Sequence, residues 1–471
     1  MILTKLTSYQ KWDTKFLAKH PRSANFNDCG LGKTLEELVV MHSVWHKHPR
    51  LKVLVFCPKS CIQQWIDQIM EHTDCDVRDI ASAVYGDKEQ KKRALKREAL
   101  VYITNYETAL TNFDDIISAN PQFEYIVCDE STRIKNPNAK TTKAVIAIAD
   151  RAKYVRIMTG LPTPQTPLEI FSQYRVMDSG ETFGKSFNLF KRKYFNSKGV
   201  WPTKKWYLKS EMREEFAKKI QSKCVRNLRS KVLELPPVTV VRRIVDWDST
   251  KTRTAYNMLE RSICNNIYVE SAGILENMSL RLVKLNKLSQ FTSGVMYGNR
   301  QNNRTSSIFR DNPKLSELER ILHDYNVAEN KIVVTGYYSI ELDLVYNYLR
   351  KKLPWTKPVL ITGAVAEEDK DRRRKSFLHD SKVRVLVANE RTIAYGLNLQ
   401  VANIIVFYSL QFSVEMYKQL CDRIHRFGQD KNCLLIHLLI ENTYDEQRFK
   451  IVTSNLDEAQ VLMRFVADRG K

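Results

Sequence analysis

What most constrains this 471-residue chain is the recurrence of short apolar, β-branched runs that end in polar or glycine-containing loops. "KVLVFCP" (Lys52–Pro58), "YIVCDE" (Tyr125–Glu130) and "KYVRIMTG" (Lys153–Gly160) form one set. "KIVVTG" (Lys331–Gly336), "PVLITG" (Pro358–Gly363), "VRVLVANE" (Val383–Glu390) and "NIIVFYS" (Asn403–Ser409) form another. Continuous apolar runs of this length suit strands buried on both faces of a parallel sheet. Stretches with helical patterning, such as "SCIQQWIDQIMEH" and "SIELDLVYNYLRKKL", separate them. Alternation of this kind implies right-handed crossovers and an α/β fold with two doubly wound parallel sheets.

Between Phe171 and about Asn330 the strand signal fades and helical patterns dominate. The expected organisation is a first sheet domain over 1–178 and a basic helical protrusion over 179–235. A linker and second helical protrusion follow over 236–330, around the proline-containing "ELPPVT", and a second sheet domain with a C-terminal helix occupies 331–471. The first protrusion opens with "KRKYFNSKGVWPTKKWYLKS", where Lys191, Arg192, Lys193, Lys204 and Lys205 are interleaved with aromatic residues. Such a cluster suits the backbone of a nucleic-acid duplex, because lysine and arginine contacts to phosphate carry no sequence preference.

Composition narrows the setting. No run approaches the roughly 18 apolar residues of a membrane span, and the N-terminus lacks the apolar core of a signal peptide, so a cytoplasmic protein without membrane partners is expected. The nine cysteines include one close pair, Cys57 and Cys61, with no second pair or histidine at zinc-like spacing. Free thiols and no structural zinc follow. The formal charge of +22 favours a polyanionic partner.

"NDCGLGKT" (Asn27–Thr34) is nearly the phosphate-loop pattern G-x-x-x-x-G-K-[ST], with Asn27 where the first glycine usually stands. Gly30 and Gly32 allow close approach of backbone N–H groups to an anion, Lys33 suits the β/γ-phosphates, and the Thr34 hydroxyl suits magnesium. Asn27 is a mild departure, since asparagine tolerates unusual backbone angles. About a hundred residues on, an apolar strand ends in Asp129 and Glu130. Asp129 is the expected magnesium ligand, and Glu130 the group that orients or deprotonates the attacking water. Together they point to ATP and magnesium.

These motifs resemble, in order and over nearly the whole chain, the SWI/SNF-type helicase-related ATPases of helicase superfamily two. "LTSYQ" is similar to the adenine-recognition motif, with Gln10 reading the base, and "CPKSCIQQW" places Trp65 as in that family. "ITNYETAL", "DESTRIKN" and "MTGLPTPQTPLEIF" resemble the next motifs. "YGLNLQVAN" and "QLCDRIHRFGQ" resemble the late ones, and the latter is the most specific of all. The resemblance implies two RecA-like domains with helical protrusions inserted between the third and fourth motifs. It also implies that Arg423 and Arg426 reach the triphosphate, with Gln419 beside the nucleotide. Lys59, Thr104, Tyr106 and Asn398, in or beside the motifs, are candidate DNA contacts.

Three positions depart from the family pattern. Thr132 stands for the usual motif II histidine, Leu161 for a threonine, and Glu390 for a threonine in a motif that here lacks paired glycines. A carboxylate at Glu390 would repel phosphate, so it is expected to point away. The function implied is a DNA-stimulated ATPase moving on double-stranded DNA, as a monomer or assembled on DNA, in a bacterium or phage-infected cell. Remodelling of branched DNA or displacement of bound proteins would be its task. The alternatives are a nucleotide-dependent binding module with a decayed motor, and an RNA helicase of the same superfamily.

Overall fold

In the computed structural model, residues 2–119, 122–199, 205–271, 278–297, 307–309, 312–325, 329–394, 399–411, 413–426 and 428–454 are described. The apolar runs do form parallel strands. They fall into two compact units, Met1–Glu234 and Leu235–Ser454.

The first unit contains β1 (Arg22–Asn25), β2 (Lys52–Cys57), β3 (Ala81–Val84), β4 (Val101–Asn105), β5 (Phe123–Asp129) and β6 (Tyr154–Met158). After them come β7 (Phe195–Lys198), β8 (Lys205–Leu208) and β9 (Cys224–Val225). All but β7 and β8 join one parallel sheet in the order β3-β4-β2-β5-β6-β1-β9. Val53 to Cys57 and Tyr125 to Cys128 are fully buried, as strands covered on both faces must be. Register sets the site. Asn25 pairs with Met158, and Met158 pairs with Asp129, so three neighbouring strands end level with one another. The loops that follow them leave the same edge of the sheet, where open α/β sheets bind their ligands.

Two helices show how sequence pattern and burial diverge. Helix Ile62–His72 buries Ile62, Trp65 and Ile69, an apolar stripe at helical spacing. Helix Ser8–Lys19 buries Gln10, Asp13, Thr14 and Leu17 at the same spacing, yet the stripe is mostly polar.

The second unit contains β10 (Val238–Val245), β11 (Val295–Met296), β12 (Ser307–Ile308), β13 (Ile332–Gly336), β14 (Val359–Ile361), β15 (Val385–Asn389), β16 (Ile404–Phe407) and β17 (Cys433–Ile440). Six of these form a parallel sheet in the order β10-β17-β16-β13-β15-β14, and β11 and β12 pair separately. Helices Pro313–Asp324 and Ser339–Lys352 contribute Leu318, Ile321, Leu342 and Val345 to a core shared with β13, β15 and β16. Among the described residues, no helix is long and apolar enough to cross a membrane.

The middle of the chain is less helical than expected. Within 179–235, β7 and β8 make an antiparallel ladder from Phe195 opposite Leu208 to Lys198 opposite Lys205. In 236–330, β10 runs straight out of the proline pair and matches β17 residue for residue, Val238 with Cys433 through Val245 with Ile440. As an edge strand β10 leaves Val240 and Ile244 half exposed, so it lacks the continuous buried run that marks the inner strands.

Glu390 begins the short helix Glu390–Ala394 after β15 and is only 2% exposed. Burial first, and the neighbouring Glu341 carboxyl second, push its carboxyl up from 4.5 to about 8, against the opposing pull of Arg448. Glu341 is itself buried, and its Oε1 accepts hydrogen bonds from the Tyr338 backbone (2.9 Å) and the Ser409 hydroxyl (2.5 Å). The motif departure is thus internal: Glu390 faces the core and keeps its proton at neutral pH. Linkage fixes the sign of the consequence. An unfolded glutamate releases its proton near pH 4.5, whereas the folded one holds it to about 8, so stability falls as pH rises across that window. At about 1.4 kcal/mol per pH unit, Glu390→Gln should flatten this decline and melt higher than the parent near pH 9. Thermal melts across pH 5 to 9 test this; parallel curves for the two proteins would refute it.

Candidate nucleotide site

The loop between β1 and helix Lys33–Trp45 turns through two left-handed glycines, Gly30 (φ 84°) and Gly32 (φ 78°). Gly32 caps the helix, and a Cβ there would lie 2.5 Å from Gln10 Nε2. The left-handed backbone at Gly32 favours glycine, and it leaves the helix N-terminal N–H groups for an anion. Lys33 Nζ donates to the Asn27 and Asp28 carbonyls at 2.9 and 3.3 Å, so its ammonium lies in the curl of the loop. Thr34 follows, half-buried, in the first helical turn. Gln10 braces the loop: Nε2 donates to the Leu31 carbonyl (3.2 Å), while Oε1 accepts from the Thr7 amide and hydroxyl.

Asn27 is the centre of a buried polar cluster. Its side-chain N–H2 donates to Asp13 Oδ2 (2.8 Å) and Glu36 Oε2 (3.1 Å), and its oxygen accepts from the Asn227 amide (2.7 Å). Asn25 donates to Glu36 (2.6 Å) and Asn227 to Asp13 (2.6 Å). Burial first, and Asp13 second, hold the Glu36 carboxyl well above the usual range, while Asn25, Lys33 and Asn27 pull it back. The absent first glycine is therefore replaced by a residue with a structural task.

Arg226 closes the back of the loop. It donates to the Phe26 carbonyl, to the Gly160 carbonyl (3.0 Å) and to Asp28 Oδ1 (2.7 Å), and the Arg229 amide donates to Asp28 Oδ2. Gly160 lies so close that a Cβ on it would sit 2.6 Å from Cys29 Sγ. Residues 226–229 went unnoticed in the sequence. They lie 200 positions from the loop, and only the pairing of β9 with β1 brings them there.

At the end of β5, Asp129 accepts from Trp65 Nε1 (2.9 Å) and from the Glu130 amide (3.0 Å). Glu130 itself is left-handed, with φ 50° and ψ 57°. A non-glycine residue held there costs on the order of 1–3 kcal/mol, and such strain concentrates at functional sites. Thr159, after β6, donates its hydroxyl to Glu130 Oε2 at 3.2 Å. Thr104 and Tyr106, expected at a DNA surface, are a correction. Thr104 is fully buried and donates to the Val84 carbonyl and Thr108, and Tyr106 donates to the Asp129 carbonyl at 2.7 Å. Tyr106 supports the acidic loop from beneath, and Thr104 ties β4 to β3.

In the second unit, helix Val414–Ile424 carries a buried Gln419 and a half-buried Arg423, and half-buried Arg426 follows. Gln429 pins this segment, donating to the carbonyls of Gln400, Ala402 and Ile424 at 2.9 to 3.1 Å. His425 Nε2 lies 2.8 Å from the Pro236 carbonyl. In the first unit, Lys59 and Arg192 are exposed. Lys191 lies over the Phe187 and Trp206 rings, and Lys193 pairs with Glu215 at 2.8 Å. Lys204, Asn398 and the side chain of Lys205 lie outside the described residues.

The donors fit the groups the sequence implies. The loop offers backbone N–H groups and an ammonium to phosphates, and Thr34 and Asp129 offer the hard oxygens that magnesium prefers. Two RecA-like parallel-sheet domains with a phosphate loop and an acidic strand end define an ATP-hydrolysing, helicase-like enzyme. Residues 23–291 match the SNF2-related domain and residues 313–428 the helicase conserved C-terminal domain, and the chain belongs to the SNF2-related family. It is 24% identical to protein p41 of Acyrthosiphon pisum secondary endosymbiont phage 1, over 93% of both chains. Against the ISWI chromatin-remodeling complex ATPase ISW1 of Saccharomyces cerevisiae it is 24% identical over 93% of this chain, and spans 38% of the yeast protein. The Sulfolobus solfataricus SWI2/SNF2 ATPase core in complex with dsDNA matches at a TM-score of 0.45 and 20% identity, over 99% of this chain and 97% of that one.

The cluster under the loop yields a test. Asn27→Gly restores the common phosphate-loop pattern but strips the amide that faces Asp13 and Glu36. It should destabilise the protein by about 2–5 kcal/mol, read from urea denaturation. An unchanged or raised midpoint would remove the structural task assigned to Asn27.

Proposed function

We propose that this enzyme is a DNA-stimulated ATPase that translocates along double-stranded DNA and remodels branched DNA, by branch migration or fork regression. Displacement of bound proteins is the other work such motion can do. The observation that carries the reading is the level ending of β1, β6 and β5, which gathers the phosphate loop, Thr159 and Glu130 at one edge. Lys33 and the loop N–H groups bind the triphosphate, with Gly30 and Gly32 permitting the approach and Gln10 beside the base. Thr34 and Asp129 hold magnesium, which when bound neutralises phosphate charge. Glu130, kept in place by Thr159, takes the proton of the attacking water. Arg423 and Arg426 are assigned to the charge that redistributes on the γ-phosphate, a task for which fixed guanidinium donors are suited. Gln419 is placed beside the nucleotide.

The DNA reading is supported by the net charge of +22, by exposed Lys59 and Arg192, and by the chromatin-remodelling ATPase among the relatives. Lys191, Lys193, Lys204, Lys205 and Asn398 complete the proposed contacts. The strained, half-buried Glu130 argues against a decayed motor, since backbone strain of this kind concentrates at functional sites.

The test is steady-state ATPase rate without nucleic acid and with single-stranded DNA, linear duplex, a four-way junction or RNA, at one salt concentration. Lys33→Ala should be inactive, Glu130→Gln should bind ATP without hydrolysing it, and Arg426→Ala should lower turnover with little change in ATP affinity. Duplex or junction DNA should stimulate the parent most. Greater stimulation by RNA, or none by any DNA, would refute the duplex-motor reading.

A further inference from the structure

Thr132 stands where a histidine is usual, and the acidic loop and the loop after β6 are tied by other groups. Gln173 is fully buried on helix Ile170–Asp178, which also buries Ile170, Phe171, Tyr174, Val176 and Met177. Its Oε1 accepts from the Ser131 hydroxyl at 2.7 Å. Its two N–H groups donate to the Pro162 carbonyl at 2.6 Å and the Glu169 carbonyl at 2.9 Å. We infer that Gln173 is a positioning residue for hydrolysis, bridging Ser131 to Pro162 so that the acidic loop and the loop after β6 hold Glu130 in one geometry. The inference rests on the role proposed above for Glu130.

The chemistry of the site favours this over simple packing. A buried amide costs free energy unless its hydrogen bonds are met, and methionine or leucine would fill an apolar helix face without that cost. Here the amide meets all its needs by reaching into two different loops. Its partner Ser131 directly follows Glu130, whose left-handed backbone persists only where the surroundings over-determine it. On one side the Glu130 amide is held by Asp129 Oδ1 at 3.0 Å, and on the other the Ser131 hydroxyl is held by Gln173. Pro162 lies three residues beyond Thr159, whose hydroxyl donates to Glu130 Oε2. Two bridges, Thr159 to Glu130 and Ser131 to Gln173 to Pro162, therefore span the same pair of loops. A shift of the loop after β6 reaches the Glu130 carboxylate through both of them.

The experiment compares Ser131→Ala, Gln173→Met and the double variant for kcat, KM for ATP and melting temperature, with and without duplex DNA. Each single variant should lower kcat by about tenfold to a hundredfold, the range set by small misplacements of a reacting group, while KM moves less than about twofold. Because the residues act as one bridge, the double variant should be no slower than the slower single variant. Gln173→Glu adds a readout that packing alone would not move. Its ionised carboxylate would face two carbonyls, and protonation would restore one donor, so its rate relative to the parent should rise as pH falls. Ser131→Ala removes a single oxygen and keeps the test open if Gln173→Met does not fold. Folded variants with kcat within about twofold of the parent, or a double variant slowed by the product of the single effects, would overturn the bridge. The two readings fail separately. Normal hydrolysis by Glu130→Gln would remove the general base and the bridge with it, whereas an inert Glu130→Gln beside fully active bridge variants would remove the bridge alone.

Discussion

Two carboxyl groups, Asp13 and Glu36, are buried side by side beneath the phosphate loop, and charge of one sign cannot be left there without donors. The chain answers with amides. Asn25, Asn27 and Asn227 come from β1, from the loop and from the segment after β9, and each donates to one or both carboxyls. This requirement explains the polar stripe on the first helix, the asparagine in place of a glycine and the return of the chain to the edge of β1. It also fixes where Gly32 meets the helix, because Gln10 lies on the same buried face as Asp13. The glycines shape the loop; the carboxyl cluster decides where it sits.

How much of this was legible follows from the range over which each signal acts. The inner strands of both sheets were readable because burial on both faces writes a continuous apolar run into local sequence, as in Val53–Cys57 and Ile404–Phe407. The glycines, Lys33 and the acidic pair were readable because phosphate chemistry demands those residue types at short spacing. Strand β10 was hidden by its edge position, and the β7–β8 ladder by its basic and aromatic composition, which looks equally at home in a helix. Thr104 and Tyr106 were misread because their motif names a place in sequence without saying which way a side chain turns. Arg226, Asn227 and Gln173 had no local signature at all. Their partners are set by sheet order and helix packing, and an isolated arginine, asparagine or glutamine in sequence carries no record of either.

The departures from the family pattern share one outcome. Glu390 turns into the core of the second unit and is kept neutral there, Leu161 is buried, and the loss of the histidine at Thr132 is met by a serine–glutamine pair one residue away. In each case the substituted side chain is taken inward.

Strand β9 is only two residues long, yet it divides the middle of the chain into parts with different freedom. Everything between the helix that ends at Asp178 and the start of β9 is, in topological terms, an excursion that leaves the sheet and comes back. The sheet itself registers only where the excursion departs and where it returns, while Phe183 and Phe190 anchor it on Tyr174 and Phe171 of the preceding helix. The few residues after β9 are held more tightly, since Arg226, Asn227 and Arg229 bond directly to the phosphate loop and to Gly160. The return point is therefore as closely specified as the phosphate loop itself, and a change of register there would be felt at the loop before it was felt anywhere else.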